Sequence, residues 1–295
     1  MTALITGING FVGRNLSKYL GSAKDLNLRG DWSNELETGS VLPIIHLAGK
    51  AHDMKAASNP DQYYEINFEL TKKLYDKFLK SNSKKFIFIS SVKAVADVVQ
   101  GVLTEDSIPN PLTHYGISKL MAEEYILRQP LPPGKSCYIL RPCMIHGPEN
   151  KGNLNLLYKF VKMGIPYPLA AFDNKRSFLS IENLCFVINT LLEQNVKSGV
   201  YNIADDEPLS TNEVVKILAK SLNKQPKLWA LPIWLVRKVA KIADFIKLPL
   251  NTERLDKLTE NYIVSNRKIK EAINSPLPVT SREGLSNTAN SFEKR

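Results

Sequence analysis

The sequence predicts an α/β chain in which a parallel sheet is wrapped on both faces by helices and is followed by a smaller, mixed α/β part. Three observations predict it. Apolar, β-prone runs alternate with helical patterns through the first half of the chain, and a glycine-rich turn joins the first run to the first helix. From about residue 147 the alternation gives way to a region richer in Pro, Gly and Asn. At 295 residues, 43% hydrophobic and 23% charged, the composition is that of a globular protein with room for one large or two medium domains.

The first strand is read in "TALIT" and the first helix in "VGRNLSKYL"; "DLNLR" at 25–29 is the second strand. A strand in "VLPIIHLA" and a helix in "YYEINFELTKKLYDKFLK" follow. Then come the strand "KKFIFISS", a turn and helix in "PLTHYGISKLMAEEY" at 111–125, and the strand "SCYILRP". The expected division is a first domain over 1–146, to which 176–204 returns, and a second part over 147–295. In the second part "GVYNIA" reads as a strand, and "STNEVVKILAKSLNK" as a helix with Ser210 or Thr211 at its N-cap and Glu213 near the third position. "LVRKVAKIADFIK" at 235–247 places residues 235, 236, 239, 242, 243 and 246 on one apolar face, expected to pack on the core with the lysines in solvent, the alternative being a membrane-surface or partner-binding helix. The last residues, "REGLSNTANSFEKR", are expected to form a short helix and a frayed tail.

The formal charge of +10 favours anionic partners, and the sequence reading takes it as dispersed. No nucleic-acid motif or basic–aromatic platform accompanies it, so no nucleic-acid partner is expected. There is no apolar run of 18 residues to cross a membrane, and Met1 leads straight into a strand, which argues for a cytoplasmic protein. Cys137, Cys143 and Cys185 lack the spacing of a metal site or a disulfide framework, and no metal is expected.

Two patterns carry chemistry. In "TGINGFVGRNL", Gly7, Gly10 and Gly13 follow a strand and open a helix, the context in which a dinucleotide pyrophosphate approaches a helix N-terminus in a Rossmann-type sheet. In the helix after residue 113, Tyr115 and Lys119 stand four apart, on one face, where an ammonium can lower the pKa of a phenol. A second such pair, Tyr158 and Lys162, shows that spacing alone does not choose between them.

The order of motifs does choose. "TGINGFVG", "HLAGKAH" at 46–52, Asn67 in "YYEINFELT", "FISSVKAV" at 88–95, "YGISK", "LRPCMIHGP" at 140–148 and "KRSFLSIENL" at 175–184 together resemble the extended short-chain dehydrogenase/reductase family, in its nucleotide-sugar epimerase, dehydratase and reductase branch. The resemblance covers nearly the whole chain. It implies Ser91, Tyr115 and Lys119 as the catalytic set, and Tyr158, beyond the "RP" strand, as ordinary helix surface. It implies cofactor contacts from Gly7, Asn9, Gly10, Phe11, Val12 and Gly13, from Leu47, Ala48 and Gly49, from Tyr115 and Lys119, and from Pro142. It implies substrate contacts from Ser91 and Lys93, from Asn153 and Leu154, from Arg176 on the diphosphate and from Arg254.

Departures narrow this expectation. Val92 and Lys93 stand where dehydratases of the family carry Asp-Glu, which argues against dehydration. Only 24 residues separate Gly21 from His46, and the acid expected after the second strand is replaced by the region of Asn27 and Arg29, with Asp31 too late; NADP is slightly favoured over NAD. The resemblance and these departures imply reduction of a UDP-4-keto-6-deoxy-hexose, N-acetylated and used in surface polysaccharides. The alternatives are a 4-epimerase of UDP-hexoses or UDP-N-acetylhexosamines and, in a different class, a redox-silent dinucleotide sensor. The expected partner is a nucleotide-sugar, UDP-linked, and the sequence leaves room for a homodimer.

Overall fold

Ala3–Thr6 (β1) is buried along its whole length, as a strand covered on both faces must be. The structure, a computed structural model, describes residues 2–30, 32, 36, 41–50, 59–150, 153–246 and 252–293. After β1 the chain forms α1 (Phe11–Leu20), β2 (Ala23–Asp25) and β3 (Ile44–His46). A long helix, α2, then runs through Asp61–Tyr63, a π-helical stretch Tyr64–Glu69, and Leu70–Lys80. Next come β4 (Lys85–Ile89), β5 (Val102–Leu103), α3 (His114–Arg128), β6 (Ser136–Pro142) and β7 (Met144–His146). The remainder comprises α4 (Asn153–Lys162), β8 (Phe178–Ser180), α5 (Ile181–Glu193), β9 (Gly199–Ile203), α6 (Thr211–Ser221), α7 (Ile233–Ile246), α8 (Thr252–Thr259), β10 (Ile263–Val264), α9 (Arg267–Ile273) and α10 (Ser281–Glu293).

Among the described residues the main sheet has the order β2-β1-β3-β4-β6-β9, every pair parallel. The chain winds outward from β1 to β2, then reverses through β3. That reversal makes the carboxyl ends of β1 and β3 a switch point, where open α/β sheets bind ligands. Helices lie on both faces. One face packs Leu74, Tyr75, Phe78 and Ala122 of α2 and α3 against Phe86 and Phe88, and the other packs α1 and α5 against Ile5, Ile87 and Leu140. A separate core joins α4, α6, α7, α8 and α10.

Three local expectations are corrected. β2 lies two residues earlier than "DLNLR", because Ala23–Asp25 take the register opposite Ala3–Ile5, and Arg29 falls in a turn where its amide donates to the Asn27 side chain at 3.1 Å. Tyr158 is not helix surface but buried, edge-on to Phe292 at 5.1 Å. Its partner comes from the chain terminus: the short helix expected there is α10, of 13 residues, which buries Leu285, Ala289 and Phe292. In α7, among the described side chains of the expected apolar face, Val236 and Ala243 are buried and Leu235, Val239 and Ile242 are exposed, with the Ile246 side chain outside the described residues; Ala240 joins the buried pair, because its small side chain permits close packing. The capping box at α6 is present as read, with Ser210 and Glu213 bonded reciprocally.

Candidate active site

The glycine loop explains itself geometrically. Gly7 has φ +71°, and a Cβ there would lie 2.9 Å from the Ala48 backbone; a Cβ on Gly13 would meet the Gly7 carbonyl at 2.4 Å. Only glycine closes this turn. Gly10 caps α1 without any side-chain hydrogen bond, so the amides of the first turn point outward at the positive end of the helix dipole. Asn9 shapes the same turn, its carbonyl accepting from Arg14 at 2.6 Å, while Phe11 and Val12 turn half-buried into the core. The cradle therefore fits a dinucleotide pyrophosphate.

Across the switch point, Leu47, Ala48 and Gly49 are aimed by a buried network. Thr71 donates to the Asn67 carbonyl at 2.8 Å, so its oxygen accepts from His46 Nε2 at 2.8 Å; Nδ1 is then the acceptor for Thr6 Oγ1 at 2.7 Å. Thr6 Oγ1 in turn accepts the Leu47 and Ala48 amides at 3.1 and 3.0 Å. Burial, aided by the Lys119 charge, lowers the His46 pKa to about 3, so His46 is a neutral strut. Asn67, inside the π-helical stretch, accepts from the Lys50 amide at 2.8 Å and donates to the Lys50 carbonyl and to Ser118 Oγ, both at 3.1 Å. Ser118 donates to the Tyr115 carbonyl at 2.8 Å. One asparagine thus couples the loop after β3 to the helix that carries Tyr115.

That helix, α3, starts on the Thr113 side chain, which accepts from the Gly116 amide. Its 3.6-residue period places Tyr115, Lys119 and Glu123 on one face. Tyr115 is hydrogen-bonded to Ser91, which stands just past the carboxyl end of β4 and also accepts the Lys93 amide at 3.2 Å. Lys119 Nζ donates to the Ile89 carbonyl at 2.9 Å and lies 4.7 Å from the Phe88 ring. Burial lowers the Lys119 pKa to about 8, with the Glu123 charge working upward.

The sequence reading has Lys119 lowering the Tyr115 phenol. The fold gives the opposite direction: burial raises Tyr115, the Ser91 hydrogen bond works downward, and Tyr63, edge-on at 6.3 Å, adds to the rise. Ser90 donates to the Glu123 carboxylate, which also forms a buried bidentate pair with Arg141, through Nε at 2.9 Å and the terminal Nη2. This network is the main feature that sequence reasoning missed. Its signal was present in Glu123, one helical turn beyond Lys119.

The expected substrate residues divide. Lys93 donates to the Asp97 carbonyl at 2.8 Å and stacks 4.4 Å over the Tyr262 ring. Tyr262 flanks Arg176 through backbone bonds to Lys175 and Ser177, both 2.9 Å, so the fold brings the Lys93 and Arg176 segments together at one tyrosine. The Arg176 guanidinium stands 3.8 Å from Glu260. Leu154 is buried in the second core, which leaves only its backbone for contacts. Asn153 opens α4 and Arg254 lies on α8, but both side chains, like Asp31, lie outside the described residues. Pro142 is buried at the end of β6, beside β9, and Arg29 is exposed at the end of the glycine-loop side of the sheet.

Known proteins resemble this chain in sequence and fold. Residues 3–204 match the NAD dependent epimerase/dehydratase family. The chain is 31% identical to a UDP-glucose 4-epimerase of Vibrio cholerae, over 98% of this chain and 94% of that protein. It is 27% identical to a GDP-6-deoxy-D-mannose reductase of Pseudomonas aeruginosa, over 73% of this chain and 78% of that one. Among solved structures, a UDP-glucose 4-epimerase with UDP-glucose from Thermotoga maritima covers 100% of this chain and 99% of its own at a TM-score of 0.77 and 19% identity, a likeness of fold. The chain belongs to the NAD dependent epimerase/dehydratase family, and with it to the NAD(P)-dependent enzymes of the extended short-chain dehydrogenase/reductase type.

Proposed function

We propose that the enzyme reduces the C4 ketone of a UDP-linked 4-keto-6-deoxy-hexose, an N-acetylated one of the kind used in surface polysaccharides, with exchangeable NAD(P)H. The observation that carries this reading is the Ser91–Tyr115–Lys119 set standing beyond the carboxyl end of β4, across from the glycine cradle, with burial holding the Tyr115 phenol in its acid form. A bound nicotinamide dinucleotide supplies the hydride. The Tyr115 phenol delivers its proton to the C4 oxygen, and Ser91 donates a hydrogen bond to that oxygen as charge develops, a contribution of roughly 3 kcal/mol. Lys119, near its midpoint at about 8, stabilises the phenolate and helps return its proton. Arg176 exchanges Glu260 for the substrate diphosphate, through the fork that suits such anions.

Net reduction is supported by the shortness of the segment between Gly21 and His46, only 24 residues in which to close a pocket over an adenosine, so that oxidised cofactor can leave every turnover. Arg29, in the turn after β2, suits the 2′-phosphate of NADP. A second reading, 4-epimerisation of a UDP-hexose, is favoured by the Vibrio cholerae relative that spans nearly the whole chain. Incubation with NADPH or NADH and UDP-4-keto-6-deoxy-N-acetylglucosamine distinguishes them. Reduction gives cofactor oxidation equal to 4-hydroxy product. Purification with cofactor at about one equivalent, and interconversion of UDP-glucose and UDP-galactose or their N-acetyl analogues without added cofactor, would establish the epimerase instead.

A further inference from the structure

Within the charge of +10, two long stretches are basic and free of acids. Residues 150–172 contain three lysines and no acid, and residues 214–243 contain seven Lys and Arg and no acid. Together they carry ten of the 39 Lys and Arg and none of the 29 Asp and Glu.

The two stretches fold into one layer. Leu154, Tyr158 and Val161 of α4 share a core with Val214, Val215 and Leu218 of α6. Tyr167 exchanges backbone hydrogen bonds with Lys227 and Trp229, both 2.8 Å, and the Lys224 ammonium donates to the Lys162 carbonyl. Over this layer lies α7. Its buried side is narrow, Val236, Ala240 and Ala243, and its outer side carries an apolar stripe among charged residues. Trp234 is 67% exposed and Ile242 52%, with Leu235 and Val239 continuing the stripe, and Trp229 just ahead of the helix is 56% exposed. The helical period sets Lys238 within that stripe and Lys241 on its border. Of the nearby acids, Asp244 is engaged by Thr252 and Asp256 lies 4.0 Å from Arg237.

We propose that this face docks on the surface of an anionic lipid bilayer, with Trp229, Trp234 and Ile242 entering the headgroup boundary and the surrounding lysines meeting acidic headgroups. The chemistry selects this occupant. Tryptophan and aliphatic residues interleaved with lysine are the composition of an interfacial helix, and among the described residues no helix is long and apolar enough to cross the membrane. A second copy of this chain would set two strongly basic layers against each other. A protein partner is disfavoured because lysine, depleted in protein interfaces, supplies nine of the ten cations.

The test is sedimentation of the full chain with extruded vesicles of phosphatidylcholine alone or with about one third phosphatidylglycerol, at low and at physiological salt. Binding should require phosphatidylglycerol and weaken with salt. It should fall more than tenfold in Trp234→Ser/Ile242→Ser and in Lys238→Glu/Lys241→Glu, both of which change exposed side chains and should leave turnover on a soluble nucleotide-sugar unchanged. Lys80→Glu/Lys84→Glu, an equal charge change elsewhere on the surface, should retain binding. No phosphatidylglycerol-dependent binding at low salt would overturn the proposal, as would equal losses in the two lysine variants. A dimer in light scattering that Trp234→Ser/Ile242→Ser splits would assign the face to a second copy and overturn it as well.

Discussion

Replacing Lys119 by Met should abolish turnover and yet change stability in a direction that depends on pH. Burial holds the Lys119 pKa at about 8, against 10.5 for a free lysine. That gap amounts to about 3 kcal/mol by which the folded state disfavours the charged form. Between about pH 8 and 10.5 the unfolded chain binds more protons at this site than the folded one, so the parent gains stability as pH rises through that window. Below about 8 both states are protonated and the full penalty stands; above 10.5 both are neutral and it is gone. Methionine carries no such penalty, but it orphans the Ile89 carbonyl, now bonded at 2.9 Å, which costs about 1–3 kcal/mol at every pH. The variant should therefore be as stable as the parent or more so at pH 7, and less stable above pH 10. Urea unfolding of both proteins at pH 7, 8.5 and 10, followed by far-UV circular dichroism, measures the difference, in which all other titrating groups cancel. Stability curves that run parallel from pH 7 to 10 would refute the reasoning, since Lys119 would then titrate alike in both states.

Tyr115→Phe should lower turnover at least about 100-fold while cofactor affinity, read by fluorescence titration, stays within a few-fold, because only the proton relay is lost. Arg29→Ala should weaken NADPH binding by about tenfold and leave NADH binding within twofold; equal losses for both cofactors would remove Arg29 from the 2′-phosphate. Glu123→Gln leaves the Arg141 guanidinium buried beside a neutral partner, at a cost of roughly 3–5 kcal/mol, and should lower the thermal midpoint by roughly 10 °C. In the same variant Lys119 loses the charge that works its pKa upward, so the alkaline limb of the turnover profile should move to lower pH.

What the sequence by itself determined is what depends on neighbours along the chain. The glycine turn was legible because the positive φ of Gly7 and the approach of Gly13 to the Gly7 carbonyl are local, and the capping box of α6 because Ser210 and Glu213 lie three residues apart. The Tyr115–Lys119 face follows from helical period alone, and motif order separated it from Tyr158–Lys162. Tertiary structure decided what each residue meets. Lys119 finds its acceptor at Ile89, thirty positions away, and Ser90 and Arg141 converge on Glu123 from two different strands. Tyr158 is buried only because α10, at the far end of the chain, packs over it. The Tyr115 phenol is raised rather than lowered because burial outweighs the Ser91 hydrogen bond. The basic stretches look scattered along the chain, since some forty residues separate them, and become one face only when α4 and α6 share a core. Period, capping and turn chemistry act over a few residues and can be read in a string, whereas burial, and the pKa values and partners that follow from it, are set by contacts between distant segments.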